Sequence, residues 1–177
     1  MKRLVGLVLL ITLIAIPVIA EKYALLVGIN DYQGEISPLR YCVADVEAFS
    51  QALVEVAGFA EKNVCLMTSR MSRRKEPTNI NVIRDLDLLS KRAKPEDTFL
   101  FYFAGHGITK GEKSFLLATN SDTTTPNTLE LSAIPLEKVK QILSGVQAHQ
   151  LLTVIDACRN DPDSGRGEED NLLTNEF

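Results

Sequence analysis

The sequence predicts an α/β domain, a mostly parallel sheet flanked by helices on both faces. Three observations predict it. Short runs that are apolar throughout recur along the chain, as expected of strands buried on both sides. Segments with helical spacing of apolar residues stand between those runs. The 177 residues also suit one domain, on a prior of about 100–200 residues each.

The elements follow in order. Tyr23-Ala-Leu-Leu-Val-Gly-Ile29 is the first strand, ending in the turn cluster Asn30-Asp31-Tyr32-Gln33-Gly34. From Tyr41 to Val56, apolar residues at 42, 43, 46, 49, 52, 53 and 56 mark a helix, and Gly58 stops it. Val64-Cys-Leu-Met67 is a second strand. A polar, basic loop from Ser69 to Glu76 follows, carrying Arg70, Arg73, Arg74 and Lys75. Pro77-Thr78 opens a helix to about Arg92, with Ile80, Ile83, Leu86, Leu89 and Ala93 on one stripe. Thr98-Phe-Leu-Phe-Tyr-Phe-Ala104 is the clearest strand. Ser114–Ala118 reads as a short strand after a turn over Gly107–Gly111. Pro135 suits the first turn of a helix to about Ser144, ended by Gly145. Leu151-Leu-Thr-Val-Ile155 is the last strand.

Composition narrows the function. Hydrophobic residues are 45% and charged residues 24%, which excludes a disordered or fibrous chain. Net charge is −4 and the pI about 5.3, so no basic surface points to nucleic acid, and the Arg70–Lys75 loop reads as a solvated or cleavable face. Three Cys at 42, 65 and 158 give neither a disulfide scaffold nor a zinc pattern. No glycine-rich turn follows the first strand, against a flavin or nucleotide site. Residues 1–20 have a basic start, an uncharged apolar stretch from Leu4 to Ala20, and small-to-medium residues before Glu21. That is the pattern of a secretory signal peptide, giving a secreted or periplasmic chain. Left uncleaved, the same segment is long enough to anchor the chain in a membrane.

Working residues of parallel sheets gather beyond the carboxyl ends of the strands. There the sequence places Gly105-His106-Gly107 after the third main strand and Asp156-Ala-Cys158 after the last. Neighbouring strands lie about 4.8 Å apart, so an imidazole and a thiol at matching ends can meet, and a thiol needs such a base to act as a nucleophile. His149 precedes the last strand, nine residues or about 30 Å from Cys158, and so reads as an edge histidine. Cys42 and Cys65 read as small buried hydrophobes, or, after export, as a disulfide pair.

Tyr23-Ala-Leu-Leu-Val-Gly-Ile-Asn30, Phe101-Tyr-Phe-Ala-Gly-His-Gly107 and Val154-Ile-Asp-Ala-Cys-Arg159 together resemble the caspase-like cysteine peptidases, relatives of caspases and metacaspases. The likeness covers about residues 22–161. It implies a caspase-like three-layer sandwich and a Cys–His dyad acting on a protein or peptide substrate. Cys158 would attack the scissile carbonyl, and His106 would act as general acid/base. The backbone N–H groups of Gly107 and Cys158 would receive the oxyanion. Asp156, two residues before Cys158 in an extended segment, and Asp45 in Leu39-Arg-Tyr-Cys-Val-Ala-Asp45 would receive Arg or Lys before the scissile bond.

The chain also departs from the family pattern. Arg159 follows the Cys as in caspases, where metacaspases usually have His. Tyr41 and Ala44 replace the Gly and Asn that commonly flank the metacaspase Cys. Residues 21–161 read as the large-subunit part of the catalytic domain, without the strands of a small subunit. Residues 162–177 read as a flexible acidic linker, with Arg166 as a self-cleavage point. Such a sheet would leave an apolar edge, so a small-subunit chain or a homodimer is the expected partner. The alternative is a catalytically incompetent binding or dimerisation module. Calcium enters only through the resemblance: Asp122, Asp161, Asp163 and Glu168–Asp170 have no EF-hand spacing and read as solvated charge.

Overall fold

The structure, a computed structural model, describes residues 20–158, with the backbone alone at Cys158. The stretch read as a signal peptide, up to residue 19, then Arg159 and the tail read as an acidic linker with Arg166 lie outside the described residues. Within them the order is β1 (Lys22–Gly28), α1 (Cys42–Glu55), β2 (Val64–Thr68), α2 (Asn79–Ser90), β3 (Thr98–Lys110), β4 (Lys113–Leu116), α3 (Pro126–Ser132), β5 (Ile134–Pro135), α4 (Leu136–Ser144) and β6 (Gln150–Cys158).

Four strands run parallel in the order β2-β1-β3-β6. The inner strands β1 and β3 are apolar because both faces are covered, whereas β6 stands at the edge of the described sheet with Leu151 and Leu152 half-exposed. Tyr23, Leu25, Val27, Phe99, Phe101 and Phe103 point to the side of α2 and α4, where Val82, Leu86, Val139 and Ile142 meet them. Ala24, Leu26, Leu100 and Ala104 point to the other side and pack on Val46 and Leu53 of α1. The alternation of β1 and β3 thus splits one sheet between two cores. Each fully buried Phe contributes about 1.5–3 kcal/mol. The result is the three-layer sandwich with a mostly parallel sheet that the sequence predicts.

Thr78 caps α2 by accepting the Asn81 N–H, whereas Pro135 stands just before α4 and makes no side-chain cap. Tyr41, at the start of α1, makes no side-chain cap. Buried Asn30, just beyond β1, does that work: its Oδ1 accepts the Val43 N–H at 3.1 Å and its Nδ2 donates to the Arg40 carbonyl at 3.1 Å.

Two expectations need correction. There is no turn across Gly107–Gly111. β3 runs on to Lys110, and residues 107–110 pair antiparallel with 113–116 of β4. The reversal is tighter, at Gly111 and Glu112, with Gly111 at φ +61° in the region glycine tolerates. Helix α3 was not expected. Its signal is local: Thr125 and Thr128 form a capping box, and Pro126 opens the first turn.

Cys42 and Cys65 also differ from expectation. They pack against opposite faces of the sheet, Cys42 on the α1 side and Cys65 on the α2 side, and form no disulfide with each other. Each is half-buried rather than sealed in a core.

Candidate active site

The site lies where β3 changes neighbours. Along residues 98–104, β3 is flanked by β1 and β6. β6 ends with Cys158 opposite His106, and the β4 pairing starts at Gly107. The Ala104 carbonyl accepts from Ile29 and the His106 carbonyl from Leu117, so the β4 hairpin prolongs the β1 side. Strand alternation then turns the Gly107 N–H to the other edge, the side of β6.

His106 is held from three directions. Its backbone N–H donates to the Tyr32 hydroxyl at 2.8 Å, and the Tyr32 ring lies 5.2 Å from the imidazole, tilted by 40°. The ring Nε2 is 2.9 Å from the Ser37 carbonyl oxygen. A carbonyl only accepts, so Nε2 carries the hydrogen and Nδ1 is the nitrogen left to take a proton. Tyr32 fits because residue 105 is glycine: a Cβ there would stand 2.9 Å from the tyrosine oxygen. Burial pushes the Tyr32 phenol above the usual tyrosine range, with the His106 N–H acting in the opposite direction.

A cleft of about 490 Å³ opens over this rim, lined by Ile36, Leu39, Cys42, His106, Gly107 and Asp156 among others. Asp156 pairs in register with Ala104 and is exposed. Asp45 sits in the first turn of α1, also exposed. Both acids act on Tyr102 through their charge: its phenol is pushed up by burial first, then by Asp156, Asp45 and Cys42. His149 stands at the opposite end of β6, donating its N–H to the Pro95 carbonyl. A second cavity of about 520 Å³ lies by β4 and α4, where Lys113 pairs with Glu130 at 2.7 Å; no His or Cys lines it.

A family model described as the caspase domain matches residues 21–176. The chain belongs to the caspase domain family. Metacaspase-1 of Meyerozyma guilliermondii is 42% identical over 92 residues, which are 51% of this chain and 22% of that protein. Metacaspase-8 of Arabidopsis thaliana is 33% identical over 143 residues, 78% of this chain and 37% of that protein. The chain thus spans about a fifth to two-fifths of the length of these curated relatives. The crystal structure of protein GSU0716 from Geobacter sulfurreducens superposes with a TM-score of 0.59 over 78% of this chain and 50% of that one, at 19% identity. That likeness is one of fold.

Within this caspase-family chain, sequence reasoning found the residues that carry motifs and missed those that hold them. Tyr32 lay in a turn cluster, and Ser37 contributes a main-chain oxygen, which no side-chain pattern marks. Tyr102 read as one more apolar strand residue. Cys42 read as buried, yet it lines the cleft because it is the first residue of α1, where the helix meets the rim. For calcium, Asp122 is the described candidate, and its carboxylate already accepts from the Thr124 N–H and hydroxyl, which hold it below the usual carboxylate range. Among the described residues no cluster of three or more His, Cys, Asp or Glu side chains is set to hold a metal.

Proposed function

We propose that this chain is the catalytic part of a cysteine endopeptidase that cleaves after Arg or Lys. The observation that carries the reading is the register of two parallel strands, which pairs the backbone positions of His106 and Cys158 at the rim of the cleft. In this reading Cys158 attacks the scissile carbonyl. His106 takes a proton at Nδ1 and returns it to the leaving amine. The N–H groups of Gly107 and Cys158 receive the developing oxyanion. Family membership supports the reaction class, and the Gly107 N–H aimed at the β6 edge supports the oxyanion role.

Asp156 lines the cleft, and Asp45 stands beyond it in the first turn of α1. A cationic side chain entering over Tyr102 would meet both carboxylates. An acidic side chain would be repelled, so Arg and Lys are favoured over Asp. The N-terminal sequence supports export as the setting, and cell fractionation of the full chain tests that separately.

The deciding experiment is hydrolysis of fluorogenic peptides ending in Arg, Lys or Asp by the full chain and by Cys158→Ala. The expected result is cleavage after Arg and Lys, reduced at least about 1000-fold by Cys158→Ala. Equal rates from both proteins would refute the nucleophile. No hydrolysis by either would support a second reading, a binding or dimerising module. The half-exposed Leu151 and Leu152 on β6 favour that reading.

A further inference from the structure

A second reactive cluster lies away from the cleft, on the α2 side of the sheet. Cys65 of β2 places its sulfur 2.9 Å from Lys75 Nζ and 3.6 Å from Asp85 Oδ2. Lys75 Nζ is 3.9 Å from the same carboxylate oxygen. The three residues come from three segments: β2, the 3-10 turn Arg73–Lys75, and α2. That turn is fastened to α2 by main-chain contacts. Asn81 Nδ2 donates to the carbonyls of Arg73 and Glu76, and Arg84 donates to that of Arg74. Lys75 is therefore presented to the sulfur by a held loop and not by a wandering side chain alone. A cavity of about 220 Å³, lined by Cys65, Lys75, Asp85 and Leu88 among others, gives small molecules a way to the thiol.

We propose that Cys65 and Lys75 form a covalent sulfur–nitrogen link when the chain meets hydrogen peroxide, fastening the basic loop to β2. In the first step the sulfur attacks one peroxide oxygen. The O–O bond breaks, an S–O bond forms, sulfur is oxidised by two electrons, and peroxide is reduced to hydroxide, which leaves as water with the thiol proton. In the second step Lys75, having passed its ammonium proton to Asp85 or water, attacks the sulfenic sulfur. The S–O bond breaks, an S–N bond forms, and hydroxide leaves as water with a proton from the amine. One peroxide is consumed and two waters are made. The amine 2.9 Å away intercepts the sulfenic acid before a second peroxide can oxidise it.

Both groups react in their deprotonated forms. Burial pushes the Cys65 thiol up, and Lys75 offsets only part of that. The reaction is therefore slow at neutral pH and speeds up as pH rises.

The test uses the full chain with Cys42→Ser and Cys158→Ser, leaving Cys65 as its one thiol. After hydrogen peroxide, the intact mass should fall by about 2 Da and return with dithiothreitol, and peptide mapping should join the Cys65 and Lys75 peptides. The yield should be higher at about pH 9 than at about pH 7. Adding Lys75→Gln, at a side chain that is half exposed, should abolish the link and give sulfinic acid, about 32 Da heavier, with the circular dichroism spectrum unchanged. Three results would overturn the proposal: sulfinic acid without a link in the Lys75 protein, no reaction with peroxide, or a loss of about 2 Da that persists in Lys75→Gln.

Discussion

Tyr32 joins two jobs in one side chain. Its oxygen accepts the His106 N–H, and its ring supports the imidazole. Tyr32→Phe keeps the ring and removes the oxygen. It should lower kcat for an Arg peptide about tenfold, with KM nearly unchanged, since one hydrogen bond of about 1.4 kcal/mol is lost. The same variant has a stability signature. The folded phenol pKa is raised by burial, so the native state holds its proton more tightly than the unfolded chain. Stability is fully present below about pH 10 and falls as pH rises beyond it, and Tyr32→Phe should flatten that fall in alkaline denaturation. Asp156→Asn and Asp45→Asn should each lower kcat/KM for Arg peptides by about 10–100-fold, loss of a charged contact being worth about 1.5–3 kcal/mol. A neutral peptide series should respond far less, and equal losses on both series would remove the acids from specificity. The place of His106, Gly107 and Asp156 at the cleft was legible because each sits in a motif at a strand end. Tyr32 and Ser37 were not, because they reach His106 from a loop whose path only the folded chain reveals.

At the scale of elements, each strand is written in its own residues, while its partner is set elsewhere. The runs at 23–29 and 98–104 identified β1 and β3, since a strand covered on both faces must be apolar throughout, and the run at 151–155 identified β6 although Leu151 and Leu152 stay half-exposed. The extension of β3 to Lys110 was not legible. Residues 105–110 are glycine-rich and polar, and they become a strand because β4 folds back to satisfy their main-chain groups. Capping of α1 was hidden for a similar reason, since Asn30 lies thirteen residues before the Val43 N–H it accepts. Asn30→Ala should cost about 2 kcal/mol in urea denaturation, as it strands a helix N–H and the Arg40 carbonyl together. It should also weaken peptide cleavage, because α1 carries Cys42 and Asp45 to the rim. A cost below about 0.5 kcal/mol would show that water replaces the side chain.

Across the whole molecule, β3 is the strand on which both cores depend. Phe99, Phe101 and Phe103 fill one side while Leu100 and Ala104 fill the other. Phe101→Ala should cost about 3–5 kcal/mol, read as a lower urea midpoint with an unchanged slope. A changed slope would mean that the two layers no longer unfold as a unit. The hairpin that prolongs β3 has a further consequence for engineering. Its tip at Gly111 and Glu112 is exposed and lies four residues beyond Gly107. A reporter peptide or affinity tag grafted there would hang from a sealed ladder instead of pulling on the rim of the cleft, which makes this bend the natural port for labelling the protein without disturbing that rim.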